Sequence, residues 1–110
     1  MEDEFQYIAK VDEIEEGKGR PFVMGEHRIA LVRHEGVLYG VDDVCPHADA
    51  SLAFGPVKDG CIICPWHYAE FKLETGEAMS GPVARGIRTY EVKEVDGDIF
   101  IKLKKPEATD

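Results

Sequence analysis

The pattern of apolar and polar residues along the chain is that of short β-strands. Alternation with a period of two is clearest at residues 90–95 and 98–103, which flank an Asp-Gly dipeptide typical of a type I′ turn. A second hairpin is predicted from residues 28–33 and 37–41, on either side of His34-Glu35-Gly36. Further strand patterns lie at residues 5–11, 22–24 and 69–73. No segment has the periodicity of an amphipathic helix, so the pattern predicts an all-β sandwich or barrel.

Residues 42–82 interrupt this regular pattern. They show less alternation and contain more proline, glycine, cysteine and histidine than the flanking segments. Functional groups are often carried by loops that a rigid scaffold positions. We therefore expect this interval to form loops mounted on a β base.

Length and composition narrow the class of protein. A chain of 110 residues is expected to form one domain, and its 44% hydrophobic and 32% charged residues are typical of a globular protein. No apolar run approaches the roughly 20 residues that span a bilayer, and a net charge of −9 argues against nucleic-acid binding. The acidic N-terminus has no signal-peptide pattern, so a cytoplasmic protein is expected. The seven acids within residues 1–16 serve either solubility or the docking of a basic partner.

Cysteine and histidine are concentrated in two short motifs. Three cysteines in a reducing compartment indicate metal binding or buried thiols rather than disulfides. The motifs are Cys45-x-His47 and Cys64-x2-His67, so each offers one thiolate and one imidazole. Four such ligands can close a zinc site, although zinc knuckles usually begin with two closely spaced cysteines. One cysteine and one histidine from each loop also suit a cluster of two iron atoms, with both cysteines on one iron and both histidines on the other.

The whole constellation resembles the Rieske proteins, and in particular their small ferredoxins. The resemblance rests on C-P-H, C-P-W-H, the following E-F-x-L-x-T-G and the later S-G-P at residues 80–82, and extends over about residues 28–103. It implies an antiparallel β-sandwich or barrel base, about residues 1–42 and 83–110, with an inserted two-loop cluster-binding subdomain, about residues 43–82. It also implies one [2Fe-2S] cluster per chain. The implied site residues are Cys45 and Cys64 on the inner iron, His47 and His67 on the outer iron, Pro82 in a covering third loop, and Trp66 beside the second histidine.

Four positions indicate a low reduction potential by the same resemblance. Rieske proteins of respiratory complexes carry an additional disulfide and two hydroxyl groups that bond to the cluster sulfur. The corresponding positions here are Ala50 and Trp66 for the disulfide, and Ala69 and Phe71 for the hydroxyls. Donors that stabilise the reduced cluster are therefore missing. We predict a potential near the bottom of the Rieske range of roughly −150 to +300 mV.

The resemblance implies an electron carrier rather than an enzyme. Such a ferredoxin takes electrons from a flavin-containing reductase and passes them to a terminal oxygenase, in short-lived encounters, and we expect a monomer. The alternative is the small subunit of an assimilatory NAD(P)H nitrite reductase, to which residues 28–32 are similar. An oxygenase catalytic subunit is disfavoured because the chain has no room for a second iron domain. A structural zinc module is the remaining alternative and would be colourless.

Several other residues have simpler interpretations. Cys61 is expected to be a buried free thiol, because it points away from Cys64 in a strand. His27 and His34 are expected on the surface. Trp66 and Tyr68 are expected to form an apolar tip. Tyr68 stands at a position where the family that the chain resembles usually has glycine. Four acids either rim that tip or are solvated loop charges, namely Asp42, Asp43, Asp49 and Glu70.

Overall fold

The chain forms two antiparallel β-sheets. A computed structural model describes residues 4–45, 50–65, 69–80 and 86–103. Its ten strands are β1 (Gln6–Lys10), β2 (Gly19–Met24), β3 (His27–His34), β4 (Val37–Asp42), β5 (Val57–Lys58), β6 (Cys61–Ile63), β7 (Glu70–Lys72), β8 (Ala78–Ser80), β9 (Thr89–Val95) and β10 (Asp98–Leu103). The larger sheet has the order β1-β10-β9-β4-β3-β2, and the smaller sheet is the meander β5-β6-β7-β8. The all-β class expected from the sequence is confirmed.

Three hairpins turn on an acidic residue followed by glycine. Glu35, Asp59 and Asp96 have φ of 50–52°, and the glycine after each has φ of 79–83°. Two consecutive residues with positive φ define the type I′ turn, whose twist matches that of the flanking strands. The hairpins predicted around Glu35-Gly36 and Asp96-Gly97 are confirmed.

Strand β2 is longer than the sequence pattern indicates. The pattern predicts residues 22–24, but the strand begins at Gly19 and runs through Pro21. Proline lacks the N–H that a central strand would have to donate, and it is tolerated here because β2 is an edge strand. Glycine and proline are turn signals in a sequence, so the pattern hides the start of this strand.

Strand β3 is buried on both faces. Ile29 and Leu31 belong to one apolar cluster, together with residues of β1, β9 and β10. Ala30 and Val32 belong to a second cluster, which includes residues of the smaller sheet. Successive side chains of a strand point to opposite faces, so a continuous apolar run is the expected pattern for a strand between two layers. The larger sheet therefore separates two cores, and the second core lies against the smaller sheet.

Glu16 attaches the segment before β2 to the β3–β4 hairpin. Its carboxylate accepts hydrogen bonds from the backbone N–H groups of Glu35 (2.7 Å) and Gly36 (2.9 Å). The half-buried Arg33 donates to the carbonyls of Ile14 and Val11, both at 3.1 Å. These bonds satisfy backbone groups that the sheet leaves without partners.

Helical structure is minor in the described residues. It consists of two three-residue 3-10 turns, Val11–Glu13 and Leu52–Phe54. None of the helical segments within the described ranges has the length and apolar character that crossing a membrane requires. The division into a base and a cluster-binding subdomain at about residues 43 and 82 stays a prediction.

Candidate metal centre

Two loops of equal length begin with the two predicted cysteine ligands. We call the interval 45–50 the first loop; an antiparallel bridge between Val44 and Ser51 joins its two flanks. We call the interval 64–69 the second loop; the pairing of Ile63 with Glu70 joins its two flanks. Each loop therefore connects two antiparallel neighbours and starts with a cysteine.

The same backbone hydrogen bond crosses the base of each loop. The N–H of Cys45 donates to the carbonyl of Ala50 (3.1 Å), and the N–H of Cys64 donates to the carbonyl of Ala69 (2.8 Å). The first residue of each loop is thus bonded to the last. This arrangement holds the backbone of each cysteine in place.

The other predicted site residues lie outside the described part of the chain. His47, Trp66, His67 and Pro82 belong to residues 46–49, 66–68 and 81–85, as do Tyr68 and Asp49. Their roles, including those of the two histidine ligands, stay predictions.

Both cysteines are fully buried in one apolar cluster. The exposed fraction is 1% for Cys45 and 0% for Cys64, and the same cluster contains Leu52, Phe71 and Ala69. Two thiolates alone would be costly to bury in such surroundings. The charges of two thiolates and two sulfides balance those of two ferric ions, so an oxidised cluster completed by neutral imidazoles carries no net charge. The buried donor set therefore fits a [2Fe-2S] group.

Gly55 brings the segment that follows the first loop into close contact with the start of the second loop. It follows the 3-10 turn Leu52–Phe54 and has an ordinary extended backbone, with φ −84° and ψ 161°. A Cβ atom at this position would lie less than 3.0 Å from the carbonyl oxygen of Ile63, which is closer than Cβ atoms approach other atoms in proteins. It would also lie 3.2 Å from the ring of Pro65. The return of the first loop and the start of the second loop are therefore in direct backbone contact.

Cys61 is separate from the cysteine pair. It is 8% exposed, carries a free thiol and is not a member of the cluster that contains Cys64. Burial, and secondarily the carboxylate of Glu70, raises the pKa of the Cys61 thiol. A thiol that stays protonated is a poor metal ligand, because the thiolate is the binding form. The prediction of a buried free thiol is confirmed.

Three of the positions at which the resemblance sets this chain apart from respiratory Rieske proteins are buried and apolar: the two hydroxyl positions, 69 and 71, and the disulfide position 50. Ala69 and Phe71 are both 0% exposed, and Ala50 is 3% exposed. All three belong to the apolar cluster around the cysteines. None of these three side chains has a hydrogen-bond donor to offer to a cluster.

Asp43 is the main residue near the site whose environment the cysteine–histidine motif does not reveal. The expectation of a rim or solvated loop charge is wrong, because Asp43 is 2% exposed. Its carboxylate accepts hydrogen bonds from the hydroxyl of Ser51 (2.7 and 2.8 Å) and the N–H of Ala53 (2.8 Å). A signal is present in the sequence, because position 43 is in phase with buried Val41 and Cys45 in the period-two pattern.

Asp42 belongs to a second polar group at the opposite edge of β4. Its carboxylate accepts hydrogen bonds from the hydroxyl of Tyr90 (2.9 Å) and from the side chain and backbone N–H of Arg88 (both 3.1 Å). Burial, and next the Asp42 charge, raises the pKa of Tyr90 well above its usual range. Asp42 is thus a structural ion-pair residue rather than a solvated loop charge.

The two histidines expected on the surface are partly covered. His27 is half-buried, and its Nδ1 lies 3.3 Å from the Tyr90 hydroxyl. The side chain of His34 is 18% exposed, with Nε2 3.8 Å from Glu35. A turn-edge position in the sequence does not reveal that the ring of His27 packs edge-on against Tyr90.

Comparisons with known proteins agree with this geometry. The profile of the Rieske [2Fe-2S] domain family matches residues 4–91. The anthranilate 1,2-dioxygenase ferredoxin subunit of Burkholderia cepacia is 31% identical over 100 residues, which cover 91% of this chain and 93% of that protein. The 3-phenylpropionate/cinnamic acid dioxygenase ferredoxin subunit of Escherichia coli (strain K12) is 42% identical over 81 residues, covering 73% and 74% of the two chains.

Solved structures show the same architecture. The ferredoxin in a complex of reduced oxygenase and oxidised ferredoxin of carbazole 1,9a-dioxygenase superposes with a TM-score of 0.83 at 25% identity, covering 92% of this chain and 96% of that chain. A putative nitrite reductase NADPH small subunit superposes with a TM-score of 0.80 at 21% identity, covering 89% and 97%, and this likeness concerns the fold alone. The paired cysteine loops, the two-sheet fold and the profile match together show that the chain belongs to the Rieske [2Fe-2S] domain family.

Proposed function

We propose that the chain is a one-electron carrier, a Rieske ferredoxin that receives electrons from a flavin-containing reductase and delivers them to a terminal oxygenase. The observation that carries the proposal is the pair of buried cysteines at the bases of two equal loops. It is supported by the similarity along nearly the whole chain to ferredoxin subunits of dioxygenase systems. In this proposal the chain is a component of a multicomponent oxidoreductase and performs no substrate chemistry itself.

The proposed ligands are Cys45 and Cys64 on one iron and His47 and His67 on the other. When bound, the [2Fe-2S] cluster supplies reversible one-electron transfer. The backbone bonds of Cys45 to Ala50 and of Cys64 to Ala69 hold both thiolates in position. The surrounding apolar side chains exclude water from the cysteine side of the site. Pro82 and Trp66 are proposed to shield the histidine side.

The proposed encounters with partners are brief and depend on charge. Electron-transfer complexes bury less than about 1,200 Å² and dissociate quickly. A chain with net charge −9 associates faster with basic partner surfaces, and salt screens that attraction. We propose a monomer in the cytoplasm, where reducing conditions keep thiols such as that of Cys61 free.

Single cysteine substitutions test the ligand assignment. Cys45→Ser and Cys64→Ser should each lose the cluster, whereas Cys61→Ser, the matched control, should keep two irons and two sulfides per chain. The readouts are iron and sulfide content, visible absorbance, and the EPR spectrum of the dithionite-reduced protein. Loss of the cluster in Cys61→Ser together with retention in Cys64→Ser would contradict the assignment.

The choice of acceptor needs a separate experiment. Reduced protein should transfer electrons to a Rieske-type dioxygenase oxygenase component in stopped-flow mixing, at a rate that falls as salt is raised. Stable co-purification with a large sirohaem protein from the native host would instead support the nitrite reductase subunit. The likeness to that subunit is one of fold, so the oxygenase is the acceptor that the similarities favour.

A further inference from the structure

A buried carboxylate lies next to the first cysteine and has no role in the ligand set. The side chain of Asp43 is 3% exposed, and Asp43 precedes Cys45 by two residues. Charged groups are almost never buried to this degree without partners, because an unpaired charge is costly to remove from water. The contacts of Asp43 therefore indicate what its charge does.

Asp43 connects the entry of the first loop to its exit. Its carboxylate accepts hydrogen bonds from Ser51 and from the N–H of Ala53, and its carbonyl accepts one from the N–H of Leu52 (2.6 Å). Its own N–H donates to the carbonyl of Arg28 at 2.9 Å. Leu52 and Ala53 belong to the same buried cluster as both cysteines. The residue thus fixes the loop that presents Cys45.

The compensation of this charge is incomplete. The one cation that the described structure pairs with Asp43 is Arg28, whose guanidinium nitrogen lies 3.9 Å from the carboxylate and whose side chain is 49% exposed. Ser51 and Ala53 supply neutral donors. A net negative potential therefore remains on the side of the first loop next to Cys45.

We propose that Asp43 is a positioning residue that also sets the reduction potential of the cluster, keeping it low by opposing the added electron. The inference rests on the proposed ligand role of Cys45. Reduction adds one negative charge to the cluster, so a fixed anion nearby disfavours the reduced form. Two residues of extended chain span about 7 Å. A unit charge at a separation on the scale of that backbone span, in a medium of effective dielectric about 20, changes the equilibrium by tenfold or more before the compensation by Arg28.

Two substitutions with opposite expected signs test the proposal. Asp43→Asn keeps the shape and an oxygen acceptor but removes the charge. At a fixed applied potential, it should raise the ratio of reduced to oxidised protein roughly three- to tenfold. Arg28→Gln removes the compensating cation and should lower that ratio. Lys10→Gln is the matched control, because Lys10 also pairs with an aspartate, Asp98 at 3.4 Å, but lies on the far edge strand β1.

The readouts are the midpoint potential from a spectroelectrochemical titration and the EPR g-values of the reduced protein. Opposite shifts for Asp43→Asn and Arg28→Gln, with none for Lys10→Gln, support the proposal. If Asp43→Asn does not retain iron, the downward shift of the surface variant Arg28→Gln still supports it, and the absence of that shift overturns it. Equal potentials in all variants, or shifts of one sign, also overturn it. A wild-type protein without a [2Fe-2S] spectrum would instead overturn the proposed function, and this inference with it.

Discussion

A methyl group at position 55 should abolish cluster binding without any strain in the local backbone. Gly55 has φ −84°, which alanine adopts freely, so Gly55→Ala changes only the space between the loops. The new Cβ atom would lie less than 3.0 Å from the carbonyl oxygen of Ile63, which is too close for two non-bonded atoms, and 3.0 Å from the carbonyl carbon. Both partners are backbone atoms, so no flexible side chain can move aside. The segment that follows the first loop must move away from the start of the second loop by on the order of 1 Å, whereas metal sites tolerate about 0.2 Å in ligand distance.

The expected cost in stability follows from the same contact. Overpacking a close contact typically costs about 2 to 3 kcal/mol, which for a domain of this size lowers the Tm by roughly 10 °C. The measurements are iron per chain, absorbance of the cluster, and thermal unfolding followed by circular dichroism. Gly55→Ala should contain less than about a tenth of the wild-type iron, because the thiolates can no longer reach one metal together.

Gly60→Ala is the matched control for this substitution. Gly60 lies in the turn between β5 and β6, with φ +79°, and a methyl group placed there would have no neighbouring atom within 4 Å. Its substitution should cost about 1 kcal/mol through backbone strain and leave the iron content unchanged. If Gly55→Ala retained full iron, or lost no more stability than Gly60→Ala, the close approach of the loops would not be what positions the cysteines.

Three further predictions address the potential, the pH dependence and the hairpin cap. Ala69→Ser should raise the midpoint potential by about 65 mV, which corresponds to a hydroxyl that favours the reduced cluster by about 1.5 kcal/mol. A redox titration that shows no rise would contradict the predicted cause of the low potential. The folded-state pKa of Tyr90 is raised from 10.0, so the contribution of this group to stability is complete below pH 10 and is lost as the pH rises toward the folded pKa. In thermal unfolding from pH 9 to 11.5, the Tm should therefore fall more steeply in the wild type and in the control Tyr7→Phe than in Tyr90→Phe. Glu16→Ala should lower the free energy of unfolding by about 1 to 2 kcal/mol in urea titrations, because it removes two hydrogen bonds to the hairpin backbone. Glu15→Ala, the control, removes an exposed ion pair with Lys18 and should change it by less than about 0.5 kcal/mol. Equal losses in the two variants would refute the capping of the hairpin by Glu16.

Local signals in the sequence predict most of the fold. The Asp96-Gly97 turn is recognisable because two strands of clear alternation meet at a dipeptide that tolerates positive φ. The start of β2 is not recognisable, because glycine and proline are typical turn residues, while an edge strand accommodates both. The order of strands in the larger sheet depends on pairings between distant segments, such as Gly40 with Tyr90, and no local pattern encodes them.

The candidate site is predictable where spacing carries the information. The positions of Cys45 and Cys64 follow from motif spacing, and their burial in one cluster agrees with a shared role. The different environments of Asp42 and Asp43 do not follow from the motif, because adjacent residues of one chemical type differ only in which face of the strand they occupy. Gly55 is not distinguished in the sequence either, since its importance comes from a backbone contact with Ile63 that exists only once the chain has folded back between them.

The pairing of the first strand with the last strand has a consequence for how the chain folds. Gln6 pairs with Ile101, so the larger sheet is complete only when these two distant segments have met. The smaller sheet needs only neighbouring hairpins, from Val57 paired with Ile62 to Glu70 paired with Ser80. The entropy of loop closure rises with the length of the loop, and folding slows as contacts become less local. The hairpin that contains Cys64 can therefore form early and locally, whereas the sheet that supports Cys45 closes in the slow step, and both must be in place before the two thiolates face one cluster.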